Sequence, residues 1–583
     1  MPSRTIDPIT LSTVWHAMQS YCREMKHVIT RTAQSILIAH LGDISVGIWD
    51  ADGRTIAVPT GLPSQFLGGK FTIQYIVEQF RDRIHPGDVF LCNDPYHGYG
   101  NHLPDWAFIR PIFHEGRLCF FTLARAHQYD TGGAYPGSYF PNAYDIIAEG
   151  LNIPPVKFLD QGRDNEDLQR LIYNNVRWPE AVRVDNLGMI AATTICERRL
   201  QGLLAKYGFD VVKGCIEEML ERTERFVRNQ ISQIPDGVYS AEAGCDDDGT
   251  VLDEPVWVRL DMTVAGDTLT LDFSRSDAQR KGFVNSTHLA VYSQAVASVF
   301  LFLDSAIANY HNEGSMAPIT VINPTGRVTN ANWPCTVGAA PITVGSQVME
   351  SVLMAMSQAF PKRAIAPWAR HYRHYIFGPD PRTGDRYVQS MFEPDGGAGA
   401  VWGYDGFEGA ASITTLGEVA RANVEEMEVR VPWWMLRYEF AGDSPGAGQW
   451  RGACGVHWAM RNDGGEATMS TGNADAEVVV PKGVAGGSDC PPNMCWIVRG
   501  DQRTVARVHR YYDLKPGDVI IKQSGGGAGV GDPTERDPEA VREDVLDAIV
   551  THQAAREIYK VALDPKTLEI DRQETRRLRG RSS

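Results

Sequence analysis

Residues 87–133 read GDVFLCNDPYHGYGNHLPDWAFIRPIFHEGRLCFFTLARAHQYDTGG. Two apolar segments with strand character, 89–92 and 118–124, each run into a polar, glycine-rich turn, and those turns gather side chains that bind metals or move protons. His102 and Asp105 stand three apart in NHLPD, where Pro104 stiffens the backbone between an imidazole and a carboxylate. His127 follows the second apolar segment. If the two segments pair as neighbouring strands, their ends converge and His102, Asp105 and His127 face one point. Three such ligands with open positions suit a catalytic Zn, Mn or Fe ion. The competing reading is two loop histidines hydrogen-bonded to backbone.

Upstream, Asp7 caps and Pro8 opens a helix over 7–41, with Leu11, Trp15, Met18, Cys22 and Met25 on one stripe. DADGR at 50–54 turns a hairpin, and a second helix over 70–84 delivers the chain into the quoted stretch. GGKF at 68–71 imitates the end of a phosphate-binding loop. Ser64 stands where that motif needs glycine and Phe71 where it needs Ser or Thr, so a nucleotide site is excluded here.

Downstream, Asp130 and Glu149 are the candidate proton-handling or ligand-orienting carboxylates, against plain roles as a cap or a loop ion pair. Residues 164–232 read as long helices, with Leu187, Ile190, Ile195, Leu200 and Leu203 lining one of them. Period-two alternation takes over from 237 to 277. CDDDG at 245–249 lacks the ligand alternation of a calcium loop and reads as a polar hairpin tip. From 391 glycine clusters repeatedly, which suits short strands joined by tight turns, with the loop 395–409 a candidate binding loop. Residues 538–559 read as one amphipathic helix, and the basic tail from 571 as extended or disordered.

A chain of 583 residues divides into several domains, and its 43% apolar and 22% charged content is that of a globular protein. The net charge of −16 argues against a nucleic-acid partner. The ten cysteines form no CxxC pair, which fits free thiols in a reducing cytoplasm. The start lacks the pattern of a signal peptide, and the apolar run 289–308 is interrupted by Gln294 and Asp304, so a buried helix is expected there. Helical and strand blocks are segregated, which predicts an α+β fold of several subdomains with mixed sheets. The expected regions are 1–160, α+β with the candidate metal site; 161–235, helical; 236–390, α+β; and 391–583, glycine-rich β with the C-terminal helix and tail.

The words GDVFLCNDPY, NHLPD, ARAH and AEGLNIPPV resemble the hydantoinase B family, which includes subunits of acetone and acetophenone carboxylases. The resemblance continues through DFSRSDAQRKGFVN, ANWPCTVGA, DGGAGA, DSPGAGQWRGACGV and SGGGAGVGDPTERDPEAVREDV, nearly the whole chain. It implies that His102, Asp105 and His127 hold a divalent metal, and that ATP and Mg sit on a separate hydantoinase A-like subunit, with a small third subunit in some assemblies. Family members often carry a second histidine where this chain has Gln128, which removes a proton shuttle. The implied function is the metal subunit of an ATP-dependent ketone carboxylase, an aromatic ketone such as acetophenone favoured, joining enol and carboxyl intermediates made with the partner. The alternatives are the B subunit of an ATP-dependent N-methylhydantoinase or oxoprolinase, which opens a cyclic amide, and a scaffold without metal.

Overall fold

The seven strands that carry the quoted stretch are β1 (Ile44–Asp50), β2 (Thr55–Ala57), β3 (Val89–Cys92), β4 (Asp105–His114), β5 (Arg117–His127), β6 (Val156–Asp160) and β7 (Arg163–Asp164). They form one sheet in the order β2-β1-β5-β4-β3-β6-β7, with its core strands antiparallel. The computed structural model describes residues 6–59, 61–390, 396–419, 423–472 and 475–580. Asp395 of the glycine-rich loop and the last three residues of the basic tail lie outside them.

The two apolar segments of the quoted stretch are not neighbours. DWAFIRPIFH forms β4 between them, because its tight turn at Glu115 and Gly116, both at positive φ, folds it directly onto β5. The ends converge all the same. β4 begins at Asp105 where β5 ends at His127, and these two residues are direct cross-strand partners.

Both faces of this sheet are covered, so β1 and most of β4 and β5 are buried residue after residue. On one face the helices Pro8–Thr32, Pro179–Tyr207 and Phe209–Ile231 share a core with Val46, Ile48, Trp106, Phe108 and Ala124. On the other, helix Gly69–Phe80 lies close, and Arg125 reaches the Gln65 carbonyl and Thr72 from within the sheet. The first helix stops at Thr32, and Ser35 caps a separate turn, Ile36–Ala39. In the long helix Pro179–Tyr207 Leu187 points outward at 52% exposure. Leu200 and Leu203 are buried as expected, and the rest of the buried stripe runs through Val182, Asp185, Met189, Ala192 and Cys196, because close helix contacts use small and flexible side chains. The apolar run downstream forms the helix His288–Phe300, buried throughout 289–299, and no helix among the described residues is long and apolar enough to cross a membrane.

The chain folds into two compact units, residues 1–238 with 261–341 and residues 239–260 with 342–583. The second holds a five-stranded sheet in the order Trp433–Phe440, Val456–Asn462, Val519–Gln523, Met494–Arg499, Gln502–Val505, and a four-stranded sheet in the order Arg386–Ser390, Tyr375–Pro379, Ala467–Ser470, Tyr511–Leu514. Its glycine runs are close backbone crossings. A Cβ on Gly452 would lie 1.8 Å from the Gly527 carbonyl oxygen, and one on Gly527 2.0 Å from that of Ala398.

Three expectations for this unit are corrected. CDDDG is buried: Asp246 accepts the backbone N–H groups of Glu477, Val478 and Val479 at 2.7, 2.9 and 2.7 Å. The helix expected over 538–559 is two, Pro538–Leu546 and His552–Glu557, broken where Ala548 takes a positive φ and Thr551 caps the second. The tail forms the helix Arg572–Leu578 behind the cap Asp571. The whole is an α+β architecture with several antiparallel and mixed sheets, as the segregated blocks predict.

Candidate metal centre

The turn NHLPD is fixed from three sides. The Asp105 N–H donates to the His102 carbonyl, closing the turn, and the Gln128 N–H donates to the Pro104 carbonyl at 2.8 Å, tying it to the end of β5. Buried Asn93 donates to the Leu103 and Leu151 carbonyls and accepts from Ile153 N–H, lacing the turns around 93, 103 and 152 together.

The result is a buried cluster. His102, Asp105 and His127 are 2%, 0% and 4% exposed, and each offers a ligand atom within 4.8 Å of the other two. Asp105 Oδ1 lies 3.4 Å from His102 Nε2 and 3.5 Å from His127 Nδ1. Its other oxygen accepts the Asn101 amide at 2.6 Å, whereas Oδ1 has no hydrogen-bond partner. Burial alone would raise the Asp105 carboxyl, but the two imidazoles hold it well below the usual carboxylate range, and Asp105 in turn raises His102 against the opposing effect of burial. A buried, unpartnered carboxylate oxygen between two imidazole nitrogens is a donor set that fits a divalent cation.

Glu149 stands behind His102. Its Oε1 accepts from the Thr336 hydroxyl and from the N–H groups of Val337 and Gly338 at 2.7 and 3.0 Å, and the Gly338 carbonyl lies 2.7 Å from His102 Nδ1. Glu149 thus anchors the residue whose carbonyl meets the imidazole, with His102 Nε2 turned to the cluster. Burial, only partly offset by those donors, pushes its carboxyl up to about 7. Gly338 admits no side chain, since a Cβ there would lie 2.5 Å from the Phe283 ring.

Asp130 is engaged elsewhere. Its oxygens take the Arg177 backbone N–H at 2.6 Å and the guanidinium at 3.0 Å, which makes it an anchor for the segment before helix Pro179–Tyr207. Gln128 turns to the helical layer, its amide nitrogen 3.6 Å from Met189 Sδ. Position 128 therefore packs against a helix. Tyr139 stacks at 10° to the His127 ring, 6.2 Å away, and sits 6.0 Å from His102, with Phe283 next to it as an aromatic wall.

Asn101, Gly338, Tyr139 and Asp43 complete the surroundings without having been singled out. Asn101 and Gly338 lie inside words that carry the family resemblance, NHLPD and ANWPCTVGA. Asp43 lies in LGDIS just before β1, with no partner at a telling spacing, and only the β1-β5 pairing brings it to His127.

A profile of the hydantoinase B/oxoprolinase family matches residues 7–533. The chain belongs to that family. Among its family relatives, the beta chain of caprolactamase from Pseudomonas jessenii is 29% identical over 96% of this chain and 97% of its own. The B component of a putative D-/L-hydantoinase from a Pseudomonas species is 28% identical over 99% and 98%, and acetophenone carboxylase delta subunit from Aromatoleum aromaticum is 24% identical over 92% and 84%. The crystal structure of ATP-dependent caprolactamase from Pseudomonas jessenii superposes with a TM-score of 0.92 at 29% identity, covering 99% of this chain and 100% of that one. A nucleotide-free acetone carboxylase shares the hydantoinase B fold at a TM-score of 0.90 and 20% identity.

Proposed function

We propose that this chain is the metal-holding subunit of an ATP-dependent, multi-subunit enzyme that acts on a cyclic amide. The observation that carries the metal assignment is the unpartnered Asp105 Oδ1 between His102 Nε2 and His127 Nδ1. The cyclic-amide reading is supported by end-to-end similarity to a caprolactamase subunit and a hydantoinase subunit. Ketone carboxylation, with an aromatic ketone and bicarbonate, is the second reading, supported by similarity to the acetophenone carboxylase subunit.

His102, Asp105 and His127 would hold a Zn, Mn or Fe ion, which supplies Lewis-acid polarisation of a carbonyl or an activated water. The residues around it have separable tasks. Asn101 occupies Asp105 Oδ2 and so presents Oδ1 to the cluster. Glu149, through the Gly338 carbonyl, fixes the tautomer in which His102 Nδ1 carries the proton and Nε2 is a free donor pair. Tyr139 and Phe283 wall the cluster and keep bulk water from one side, which strengthens electrostatic interactions there. ATP and its Mg would be handled by a hydantoinase A-like partner.

Elemental analysis tests the metal: about one Zn, Mn or Fe per wild-type chain, lost in His102→Ala and in His127→Ala, is the expected result. The substrate is tested on the complex with its ATP-using partner. Ring opening of a lactam or hydantoin without incorporation of labelled bicarbonate supports the first reading, and label in a carboxylated ketone supports the second.

A further inference from the structure

We infer that Arg125 binds an oxyanion beside the ion, a phosphoryl or carboxylate group of the reacting molecule; the inference deepens the metal reading above and rests on it. Arg125 is fully buried, and its five N–H donors meet two acceptors, the Gln65 carbonyl at 3.4 Å and the Thr72 hydroxyl at 3.2 Å, with Nε left without a partner. Four other buried guanidiniums show what is missing. Arg110, Arg370, Arg451 and Arg536 each meet a carboxylate, Glu197 at 3.4 Å, Glu350 at 2.7 Å, Asp544 at 2.8 Å and Asp405 at 2.7 Å. Arg125 meets none among the described residues and feels Asp105 only through space. Cys92, across the sheet from Ala107, is no counter-ion, since burial pushes its thiol up to about 12. A buried charge without a counter-ion is among the costliest features a fold can hold, and a buried donor without an acceptor adds to the cost.

The register sets Arg125 beside the cluster. It stands two residues before His127 on β5, so both side chains leave the same face of the sheet, and its partner on β4, Ala107, stands two after Asp105. Its partner on β1 is Ser45. Small side chains on either side leave that face to the arginine. Around its head, Thr72 in turn donates to the Tyr99 carbonyl at 3.0 Å, two residues before the Asn101 that holds Asp105. Gln65, whose carbonyl takes one guanidinium N–H, gives its side-chain amide to Asp43 at 3.2 Å. The guanidinium is enclosed by the groups that frame the cluster.

Charge defines the ligand. A divalent ion, two neutral imidazoles, Asp105 and Arg125 come to +2, and the neighbouring Asp43 carboxylate lowers this to +1. An oxyanion neutralises the remainder, and the planar fork of a guanidinium matches two of its oxygens. A neutral ring amide or ketone leaves that charge standing. The site therefore takes its substrate after an ATP-using partner has made it anionic, or takes one that carries its own carboxylate.

The test uses the full chain loaded with Co(II) and titrated separately with inorganic phosphate and with acetate, followed by calorimetry and by the visible absorption of the ion. The wild type is expected to bind at least one of them, phosphate pointing to an ATP-derived phosphoryl group and acetate to a substrate carboxylate. Arg125→Met is expected to weaken that binding about 10–100-fold, while its Co(II) affinity holds or rises because a positive charge near the ion is gone. Arg125→Lys should recover part of the anion affinity. A second measurement needs no variant: crystals of the Co(II)-loaded wild type, soaked in arsenate or bromoacetate to match the anion that binds, should show anomalous density at hydrogen-bond distance from the guanidinium. Binding of neither anion, wild-type anion affinity in Arg125→Met, joint loss of Co(II) and anion in that variant, or density away from the guanidinium overturns the role of Arg125 while leaving the three-ligand site standing. A wild-type chain that takes up no Co(II) overturns both.

Discussion

Glu149 acts on the cluster through a peptide, and that makes its effect separable from ligation. In the metal-free chain its carboxyl rises from 4.5 to about 7 because burial outweighs the donors on Oε1. The folded state therefore binds a proton that the unfolded state has released between these values, and stability falls as pH rises through that window. The full effect is at most about 3 kcal/mol. Glu149→Gln keeps an acceptor for Thr336, Val337 and Gly338 and has no charge to lose, so its thermal midpoint should vary less than the wild type's between pH 5 and 8. Metal affinity should drop about 10–100-fold, since the Gly338 carbonyl that orients His102 is less firmly held. A wild-type pH slope in the variant would sink this account of the carboxyl. The residue itself was legible as a carboxylate beside a family-like turn. Its partner peptide at 337–338 was not, because nothing in a linear pattern shows that a loop almost two hundred residues away supplies the donors.

Elements were readable where a single periodicity ruled and misread where a tertiary ion pair overrode it. The helix Phe209–Ile231 keeps its apolar stripe and was visible; residues 538–559 keep one too, yet the chain breaks there. Asp544 explains the break. Its carboxylate joins Arg451 at 2.8 Å and Arg536 at 2.9 Å, while its backbone carbonyl accepts the N–H groups of Ile549 and Val550 and turns the chain after Leu546. All three charged side chains are buried. Asp544→Ala would strand two guanidiniums, a loss of about 3–5 kcal/mol. Arg536 retains Asp405 and Arg451 retains Glu408, which places the cost at the low end. The expected outcome is a lower thermal midpoint with faster amide exchange across 538–557, and an unchanged midpoint would show that the break is set by local sequence alone. The strand order of the sheet that carries His102, Asp105 and His127 was missed for a related reason: β4 contains a proline and is flanked by two histidine-bearing turns, and its burial on both faces erases the alternation that marks a strand.

At the scale of the molecule, an ATP-dependent activity has to be divided between this chain and another. The stretch GGKF at 68–71, which imitates a phosphate site, is closed by packing as well as by sequence. A Cβ on Gly68 would lie 2.3 Å from Leu289, and one on Gly69 2.3 Å from the Trp49 ring, so both glycines are spent on helix and sheet contact. Lys70, the residue a phosphate would need, bonds Glu313 at 2.8 Å and the Tyr292 hydroxyl at 3.0 Å, and it sits over the Tyr292 ring. The net charge of −16 adds a repulsive field for a nucleotide triphosphate. The purified chain should therefore take up a divalent ion while showing neither ATP binding by calorimetry nor ATP hydrolysis, and hydrolysis should appear only when an ATP-using partner and substrate are both added. Lys70→Met separates the two explanations of any residual ATP signal: a structural lysine lowers the thermal midpoint and leaves reconstituted turnover per folded chain unchanged, whereas a phosphate-binding lysine would abolish turnover in a chain that still folds. ATP binding by the wild-type chain alone, lost in that variant, would return the nucleotide site to this subunit.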